Sequence, residues 1–409
     1  MEIPELLAPA GDYECLEAAY NHGADAAYIG IGTLNLRANS PNFSIDELPL
    51  VINLTKKLKK RVYAVLNIMP NDQQMRQIED FVKKLAHTSS LPDALIVSDP
   101  GVIELCRELI GGIPLHLSTQ TGTFNHRSMQ FWATQGITRV VLPRELNLVQ
   151  IAALALHGMC ETEVFIHGAM CVSLSGRCLL GAYLSGRHAN HGDCPQPCRF
   201  QYDVSVKNGK TAATSSTFIA EEDHTGTYLF NSKDLNTLAI LPSVISTGVS
   251  SLKIEGRNKS VHYVSSVTKT YRAAIDRYCD DPANYHPDPK WFQELDNLDH
   301  REYTTGFYAN EYIMQDTVAS KVPSAIRVVG VVKGKLPKGR VLVDVKNPFQ
   351  INETVNVLPV NRKKSPYDIT ITAITDLTGN DIDRAITNRV VAVHSRSKLG
   401  IGDVLRLNI

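Results

Sequence analysis

The sequence lacks several features that would assign it to a familiar class of protein. No apolar run approaches the roughly 18 residues that a helix needs to cross a bilayer, and the acidic start, MEIPELLAPAGDYE, has no basic segment followed by an apolar core. No HExxH motif or convincing Ser-His-Asp set is present, and the GIG at Gly30–Gly32 lacks the third glycine of a dinucleotide-binding fingerprint. We therefore expect a soluble, cytoplasmic protein without a signal peptide, and neither a standard protease centre nor a nicotinamide site.

Net charge is absent as well, because 42 Lys and Arg balance 42 Asp and Glu. The charges are unevenly distributed along the chain, however. From Lys321 to Ile409 there are 15 basic and 7 acidic residues, whereas the rest of the chain has 27 basic and 35 acidic residues. A basic region attached to an acidic body is expected of an enzyme that handles RNA. The alternative is a solvated charged surface on a small β domain.

Cysteine is scarce except in one stretch. Four of the eight cysteines fall within 28 residues, spaced C-x6-C-x15-C-x3-C: Cys171, Cys178, Cys194 and Cys198. Thiols stay reduced in the cytosol, so this clustering indicates metal rather than disulfides, and four thiolates hold either a [4Fe–4S] cluster or a structural zinc. Zinc sites usually have two short knuckles, and only the last pair here is short, which favours iron–sulfur over zinc or no metal. The remaining cysteines are expected to be small buried hydrophobes: Cys15, Cys106, Cys160 and Cys279.

The first 280 residues alternate short β-branched runs with longer helical patterns, which indicates βα units and a parallel sheet. The candidate strands are Glu5–Pro9, Ala26–Gly30, Val62–Asn67, Ala94–Ser98, Leu115–Thr119, Arg139–Pro143, Val164–His167 and Ser251–Glu255. Eight such units favour a TIM-type (β/α)8 barrel over residues 1–280, with an open doubly wound sheet as the alternative.

About 80 residues separate the seventh and eighth predicted strands, far more than any other pair. This insertion, residues 168–245, contains the four clustered cysteines. Because the loops after barrel strands form the catalytic face, we expect the cysteines over the barrel mouth. Beyond the barrel, residues 281–325 are predicted to be a linker with a short helix. Residues 326–409, with short Val-rich strands and Gly/Pro/Asn turns, are predicted to form a small all-β barrel domain.

Polar and charged side chains follow the predicted strands at their carboxyl ends, which would place them at the barrel mouth. They are Arg37, Asn39, Asn67, Ser118, Thr119, Gln120, Arg144, Glu145, His167, Lys253, Glu255 and Arg257. Several cations around an apolar mouth suit a small ligand bearing carboxylates, because arginine pairs with a carboxylate in bidentate geometry. The alternatives are structural: Arg144 pairs with Glu145, Glu255 pairs with Arg257, and His167 is a buried histidine at a strand end.

Several stretches of the chain together resemble the collagenase-like "peptidase U-32" family. They are ELLAPAGDYECLEAAYNHGADAAYIG, EVFIHGAMCVSLSGRCLLGAYLSGR, DCPQPCRF, NSKDL and SLKIEGR. The cysteine run is specific, because Glu163 to Cys178 follow the family pattern E-x-F-x2-G-A-M-C-x4-G-x-C. The resemblance extends from about residue 3 to the C-terminus, and within the family it is strongest to the prephenate-dependent tRNA uridine 5-hydroxylation proteins.

The resemblance implies an O2-independent enzyme that converts the tRNA wobble uridine, U34, to 5-hydroxyuridine. It implies a [4Fe–4S] cluster on the four clustered cysteines, prephenate as a second small molecule, the tRNA anticodon loop as partner and an electron donor. On this reading the residues expected to bind prephenate or a phosphate are Arg37, Lys253 and Arg257. The residues expected to act in catalysis are His167, Glu255 and Arg144.

The chain departs from the family pattern at two positions. Gly181 replaces a serine, and Asn236 stands where some relatives have a cluster cysteine. The fourth ligand is then Cys198, unless three cysteines leave one iron open. Three other functions remain as alternatives: hydroxylation of another RNA or a quinone precursor, a collagenase-type zinc protease, and a non-catalytic RNA-binding module.

Overall fold

The computed structural model describes residues 3–88, 90–171, 173–175, 177–196, 221–223, 226–228, 232–309 and 322–409. The strands before the C-terminal region are β1 (Glu5–Ala10), β2 (Ala26–Gly30), β3 (Arg61–Leu66), β4 (Ala94–Val97), β5 (Leu115–Leu117), β6 (Ile137–Val141), β7 (Glu161–Ala169), β8 (Glu221–Asp223), β9 (Gly226–Tyr228), β10 (Asp234–Asn236), β11 (Ser251–Ile254) and β12 (Tyr303–Thr304). Strands β1 to β7 and β11 run parallel, and β11 pairs with both β1 and β7. These eight strands close the predicted (β/α)8 barrel, which excludes the open-sheet alternative.

Most helices connect consecutive barrel strands and pack on their outside, whereas the short helix Leu180–Ser185 lies in the insertion and the helix Pro289–Asp296 follows the last barrel strand. The helices are α1 (Tyr13–Asn21), α2 (Leu48–Lys57), α3 (Asp72–Ala86), α4 (Pro100–Leu109), α5 (His126–Thr134), α6 (Leu148–Leu156), α7 (Leu180–Ser185), α8 (Leu241–Ser246), α9 (Val261–Asp280) and α10 (Pro289–Asp296). Several begin at an Asp or Asn whose side chain accepts a hydrogen bond from a backbone N–H of the first turn, as Asp12 and Asn71 do. The strands are almost continuously apolar because both of their faces are buried.

The insertion after β7 begins inside the barrel wall. Strand β7 continues to Ala169, and β10 returns antiparallel to its last residues, with Asn236 opposite His167. Strand β12, from the region predicted as a linker, pairs with β10 in turn. The segment after α9 therefore packs back onto the barrel instead of running free between two domains.

The C-terminal strands are β13 (Ile326–Lys335), β14 (Val341–Val345), β15 (Phe349–Gln350), β16 (Thr354–Leu358), β17 (Tyr367–Thr375), β18 (Arg384–Ala385), β19 (Val390–Ser395) and β20 (Val404–Asn408). Six of them close a small barrel in the order β13-β14-β19-β17-β16-β20, with its own apolar core. Polar contacts join this barrel to the first one. Arg406 pairs with Glu294, and the Lys269 ammonium donates to the carbonyl oxygens of Pro359 and Asn361 at 2.6 and 2.7 Å.

None of the helices in the described ranges combines the length and the apolar character that a bilayer crossing requires.

Candidate active site

The carboxyl ends of the barrel strands and the cysteine-bearing insertion surround a cavity of about 130 Å³. A cavity of about 150 Å³ is large enough to hold benzene. This cavity therefore has the size of a single six-membered ring, and it lies on the barrel face where the βα loops of this fold carry active sites.

Most of the mouth residues predicted from the sequence line this cavity. They are Arg37, Asn67, Ser118, Thr119, Gln120, Arg144, Lys253, Glu255 and Arg257, together with Cys171, Cys178 and Cys194. Cys198, the fourth predicted ligand, lies outside the described residues. Two expected mouth residues, Asn39 and Glu145, are not part of the wall. Glu145 accepts hydrogen bonds from the backbone N–H and the hydroxyl of Ser175 at 2.7 and 2.8 Å, so Ser175 rather than Arg144 is its partner.

His167 was expected to line the barrel mouth, but its side chain lies outside the cavity wall. A register shift between β7 and β11 places Lys253 opposite Phe165 and Ile254 opposite His167. Past this bulge, Phe165 lines the cavity and His167 does not. The imidazole is buried, its Nδ1 lies 3.4 Å from the hydroxyl of Tyr271, and burial lowers the pKa of His167 to about 3. A neutral imidazole packed against Tyr263, Tyr271 and Tyr303 matches the structural alternative for His167. Its catalytic role stays a prediction.

Glu255 is the carboxylate at the centre of the cavity's charges. Its oxygens lie 3.3 Å from the Arg37 guanidinium and 3.9 Å from that of Arg144. Burial alone would raise the pKa of Glu255, but Arg37, Arg144 and Arg257 outweigh burial and lower it. Glu255 is therefore ionised, and it is the one carboxylate among the described residues of the cavity wall.

Arg257 has neutral partners. Its guanidinium donates to the side-chain oxygens of Asn35 and Asn42, and burial lowers the pKa of Arg257 to about 10, with the charge of Arg37 acting in the same direction. The Nε of Arg37 is also buried, and no described residue hydrogen-bonds to it. Three arginines thus share one carboxylate, Glu255. This excess of buried positive charge favours an anionic ligand in the cavity.

Lys253 differs from these arginines because it already has a carboxylate of its own. Its ammonium donates to Glu163 at 2.7 Å, Glu163 lies 3.3 Å from Arg139, and Arg139 lies 2.6 Å from Glu5. We call Lys253, Glu163, Arg139 and Glu5 the inner ion-pair layer. Burial would raise the pKa of Glu163, but Lys253 and Arg139 lower it to about 2. Lys253 is thus held at the cavity floor by a buried partner, so its charge is less available to a ligand.

The three described cysteines of the insertion face the cavity, and all three are free thiols. Burial tends to lower the pKa of Arg37, whereas Glu255, Cys171 and Cys194, which line the same cavity, together raise it. Within the described residues, no three His, Cys, Asp or Glu side chains are close enough to hold a single metal ion. Tetrahedral Zn–S bonds near 2.3 Å would bring thiolates within roughly 4 Å of one another. Three cysteines facing one cavity, with Cys198 outside the described residues, have the donor chemistry that a [4Fe–4S] cluster requires.

Asn236, where some family members have a cysteine, does not line the cavity. Its side-chain oxygen accepts hydrogen bonds from the Tyr271 hydroxyl at 3.1 Å and from the Leu238 N–H at 3.0 Å. The residue therefore belongs to the same buried cluster as His167. Of the remaining cysteines, Cys15, Cys106 and Cys160 are buried as expected, and Cys279 is half-buried.

Sequence reasoning missed several residues of the site. Tyr28 and Phe165 form aromatic wall, and the Arg144 guanidinium stacks over Phe165 at 3.8 Å from the ring centroid. Asn190 enters the wall from the insertion. The partner of Lys253 was missed too, although a signal existed. Glu163 is an acidic residue directly before the apolar run Val164–Ile166 of β7, and a charge buried in a barrel needs a counter-charge.

Comparison with known proteins places this site in a family. The model for "Peptidase family U32" matches residues 11–316, and the model for "Peptidase family U32 C-terminal domain" matches residues 325–406. The chain is similar to tRNA hydroxylation protein P1 of Bacillus subtilis, with 40% identity over 75% of this chain and 71% of that protein. It is 35% identical to tRNA hydroxylation protein P of Escherichia coli over 87% of this chain and 86% of that protein.

A further relative, the 23S rRNA 5-hydroxycytidine C2501 synthase of Escherichia coli, is 36% identical over 66% of this chain and 39% of that protein.

Proposed function

The chain belongs to peptidase family U32, and we propose that it is an enzyme that hydroxylates a nucleoside of tRNA. The observation that carries the proposal is the similarity to tRNA hydroxylation proteins along both domains, 35% identity over 396 residues in one case. The cavity supports it independently. Its wall combines three thiols with an excess of arginine, on the barrel face where this fold carries active sites.

We further propose that the nucleoside is the wobble uridine, U34, and that the product is 5-hydroxyuridine. A base in the single-stranded anticodon loop can be splayed into a pocket at little cost, because it has no pairing partner to lose. Tyr28 and Phe165 give the cavity flat walls for such a ring. The C-terminal barrel would hold the tRNA body through exposed cations such as Lys363, Lys364 and Lys398, so binding would weaken with salt.

Prephenate is the proposed small anionic ligand. Its two carboxylates suit Arg37, Arg144 and Arg257, which share the single carboxylate Glu255. Glu255 is ionised beside these arginines and can accept a proton from a bound ligand, and this is the catalytic role that we assign to it. Lys253, fixed by Glu163, would orient the ligand rather than supply the main attraction.

The proposed cofactor is a [4Fe–4S] cluster, held by Cys171, Cys178, Cys194 and the predicted ligand Cys198. When bound, such a cluster supplies redox chemistry that no side chain of the cavity provides. Conversion of the uridine C5–H to C5–OH removes two electrons from the base, so the proposed reaction needs an oxidant as co-reactant, and an electron donor would serve only to set the resting redox state of the cluster. The role of the described residues around it is to bind the anion, to enclose the base and to keep Glu255 ionised.

Nucleoside mass spectrometry of bulk tRNA tests the proposal. A strain lacking this gene is complemented with the wild type, with Cys171→Ala, or with Cys279→Ala, a half-buried cysteine on α9 that lies outside the cavity wall. We expect hydroxyuridine-derived nucleosides to be lost on deletion, restored by the wild type and by Cys279→Ala, and absent with Cys171→Ala. Unchanged nucleosides in the deletion strain would contradict the tRNA assignment. Loss of a hydroxylated base from ribosomal RNA instead would assign the chain to rRNA.

A further inference from the structure

Gln120 carries a buried hydrogen-bond donor that nothing in the described part of the protein uses. The side chain is fully buried at 0% exposure and lines the cavity, and its Nε2 has no hydrogen-bond partner. An unused buried amide N–H is costly, so such groups in native proteins normally mark the position of an unseen partner.

A chain of hydrogen bonds fixes which end of the amide is free. The Leu36 N–H donates to the side-chain oxygen of Asn67 at 3.3 Å, which sets the Asn67 amide so that its Nδ2 donates to the Ser118 hydroxyl, also at 3.3 Å. The Ser118 proton must then go elsewhere, and it is donated to Oε1 of Gln120 at 3.1 Å. The amide is thereby oriented with Nε2, a donor, as its open end.

The backbone of Gln120 is held just as firmly. It lies in the short helical turn Thr119–Thr121 after β5. Nε of Arg177 donates to the carbonyl oxygen of Gln120 at 2.8 Å. Arg177 is the neighbour of Cys178, so the cysteine-bearing insertion fixes this turn. The donor therefore has a set position relative to the thiol segment.

The barrel order separates this donor from most of the arginines. Strand β5 lies across the barrel from β1, four strands away in either direction. Arg37 follows β2, and Arg257 follows β11, and these are the two neighbours of β1. Arg144 follows β6, the neighbour of β5, but its guanidinium lies 3.8 Å from the centroid of the Phe165 ring on β7 and 3.9 Å from Glu255, so it belongs with the other arginines. The cavity thus has a cationic side, suited to carboxylates, and an opposite side on which the neutral amide of Gln120 lies beside Ile96 of β4 and Val141 of β6. A neutral carbonyl oxygen on a ring is the acceptor that this side favours.

We propose that Gln120 reads the base, donating from Nε2 to the O4 carbonyl oxygen of the bound uracil ring. The inference rests on the proposed tRNA hydroxylation. The proposed hydroxylation site is C5 of the uracil ring, and C5 is adjacent to C4. When C5 faces the thiol segment, a donor held beside that segment lies close to the substituent on C4. Uracil presents an acceptor there and cytosine an amino donor. Gln120 is therefore the residue that selects uridine over cytidine.

The test measures binding, so it does not depend on turnover. Full-length protein purified without oxygen is titrated into fluorescent anticodon stem-loop RNAs whose wobble base is uracil, cytosine or 2-pyrimidinone, which lacks O4. For the wild type we expect uracil to bind about 5- to 100-fold more tightly than 2-pyrimidinone, the range for leaving one buried donor unpaired. In Gln120→Met, which has similar volume and no donor, this ratio should fall to about one.

Gln120→Glu provides the reciprocal test. The carboxylate still accepts from Ser118, but it replaces the free donor by an acceptor that suits the cytosine amino group. We expect its preference to reverse from uracil to cytosine. Gln150→Glu is the matched control, because Gln150 is exposed in the capping box of α6 and glutamate preserves that box. If Gln120→Glu does not fold, Ser118→Ala, which frees the amide to rotate, should narrow the uracil preference.

A wild-type ratio that persists in Gln120→Met would overturn the inference while leaving the proposed function intact. If instead Gln120→Met weakens prephenate binding and leaves base selection unchanged, the donor serves a carboxylate and the inference is also wrong. Two results together would overturn both the inference and tRNA hydroxylation: purified wild-type protein binds none of the stem-loops, and deletion of the gene leaves the tRNA nucleosides unchanged.

Discussion

Two groups of buried charges lie one above the other in the same barrel, and they are organised differently. In the inner ion-pair layer, Lys253 and Arg139 are matched by Glu163 and Glu5 at distances of 2.6 to 3.3 Å. At the mouth, within the described residues, Arg37 and Arg144 lie 3.3 and 3.9 Å from one carboxylate, Glu255, and Arg257 donates to amides instead of a carboxylate. The paired charges of the inner ion-pair layer have a structural role in the barrel core, whereas the cations at the mouth that lack a carboxylate of their own can bind an anionic ligand.

The fold tolerates the unmatched mouth because it uses neutral partners there. Arg257 is held by the side-chain oxygens of Asn35 and Asn42, and Arg144 lies on the ring of Phe165. Amides and aromatic faces position a guanidinium without cancelling its charge. A carboxylate in either place would have bound the arginine more firmly and removed the attraction for an anion.

The largest expected effect is on the free energy of unfolding, when one glutamate in each group of buried charges is replaced by glutamine. Glu163→Gln leaves Lys253 and Arg139 buried without a full counter-charge, and it should lower the free energy of unfolding by about 3–5 kcal/mol. Glu255→Gln should cost only about 1 kcal/mol, because Arg37 reaches solvent and Arg257 binds amides. Urea-induced unfolding of both variants measures the contrast. Equal losses would show that the mouth and the inner layer are not distinct.

The next effect concerns ligand affinity. Arg257→Met should weaken the binding of prephenate by about 10- to 100-fold, since one charge-assisted hydrogen bond is worth roughly 1.5–3 kcal/mol. Arg396→Met, an exposed cation on the C-terminal barrel, is the control. Isothermal titration calorimetry gives both affinities. Equal affinity in Arg257→Met and the wild type would place the anion elsewhere.

Acid should act on the barrel interior first through His116, a buried histidine of β5 beside the inner ion-pair layer, and only at lower pH through Glu163. Burial, and then the charge of Arg139, lower the pKa of His116 from 6.5 to about 3. Because the unfolded chain binds this proton below pH 6.5 and the folded one does not, the stabilising contribution is complete above pH 6.5 and is lost as the pH falls toward 3. At pH 5 the loss is about 2 kcal/mol. His116→Phe should remove it from urea unfolding measured at pH 7 and pH 5.

Two comparisons sharpen that result. Glu163, with its pKa lowered from 4.5 to about 2, loses its own stabilising contribution only as the pH falls below about 4.5, so the ion pairs should contribute little between pH 7 and pH 5. The exposed His87→Phe, at the end of α3, serves as the control variant. A pH dependence that is identical in wild type and His116→Phe would show that this histidine is not kept neutral by the barrel.

The smallest effect is expected at His167, which belongs to neither group. His167→Gln should leave prephenate affinity and tRNA hydroxylation within about twofold of the wild type, because the ring packs against tyrosines outside the cavity. Calorimetry and nucleoside mass spectrometry check both values. A loss of hydroxylation of 100-fold or so, with prephenate affinity preserved, would restore the catalytic role predicted from the sequence.

The mouth residues could be predicted because they depend on topology alone. Once eight strands alternate with helices, the residues after each strand meet at one end, and Gln120, Arg144 and Glu255 follow from that rule. His167 could not be placed in this way. A single register shift between β7 and β11 changes the side to which it points, and nothing in the sequence of an apolar strand marks such a bulge.

Ion-pair partners on different strands of the barrel could not be predicted from the sequence either. The ion pairs of Arg139 with Glu5 and of Arg37 with Glu255 join residues far apart in sequence, and charge pairing between two such positions has no local signal. The adjacent pair Arg144 and Glu145 looked like a salt bridge, but neighbouring residues on a loop point in different directions. Glu145 binds Ser175 of the insertion instead.

The most direct test of the account is a calorimetric titration of prephenate into wild-type protein and Glu255→Gln. Removing the one carboxylate that the three arginines share raises the positive charge of the mouth, and at an effective dielectric constant near 20 a unit charge about 5 Å away is worth a few kcal/mol. The account predicts that Glu255→Gln binds prephenate at least about 10-fold more tightly than the wild type while losing tRNA hydroxylation. Unchanged or weaker binding would contradict the claim that the unmatched arginines form the anion site.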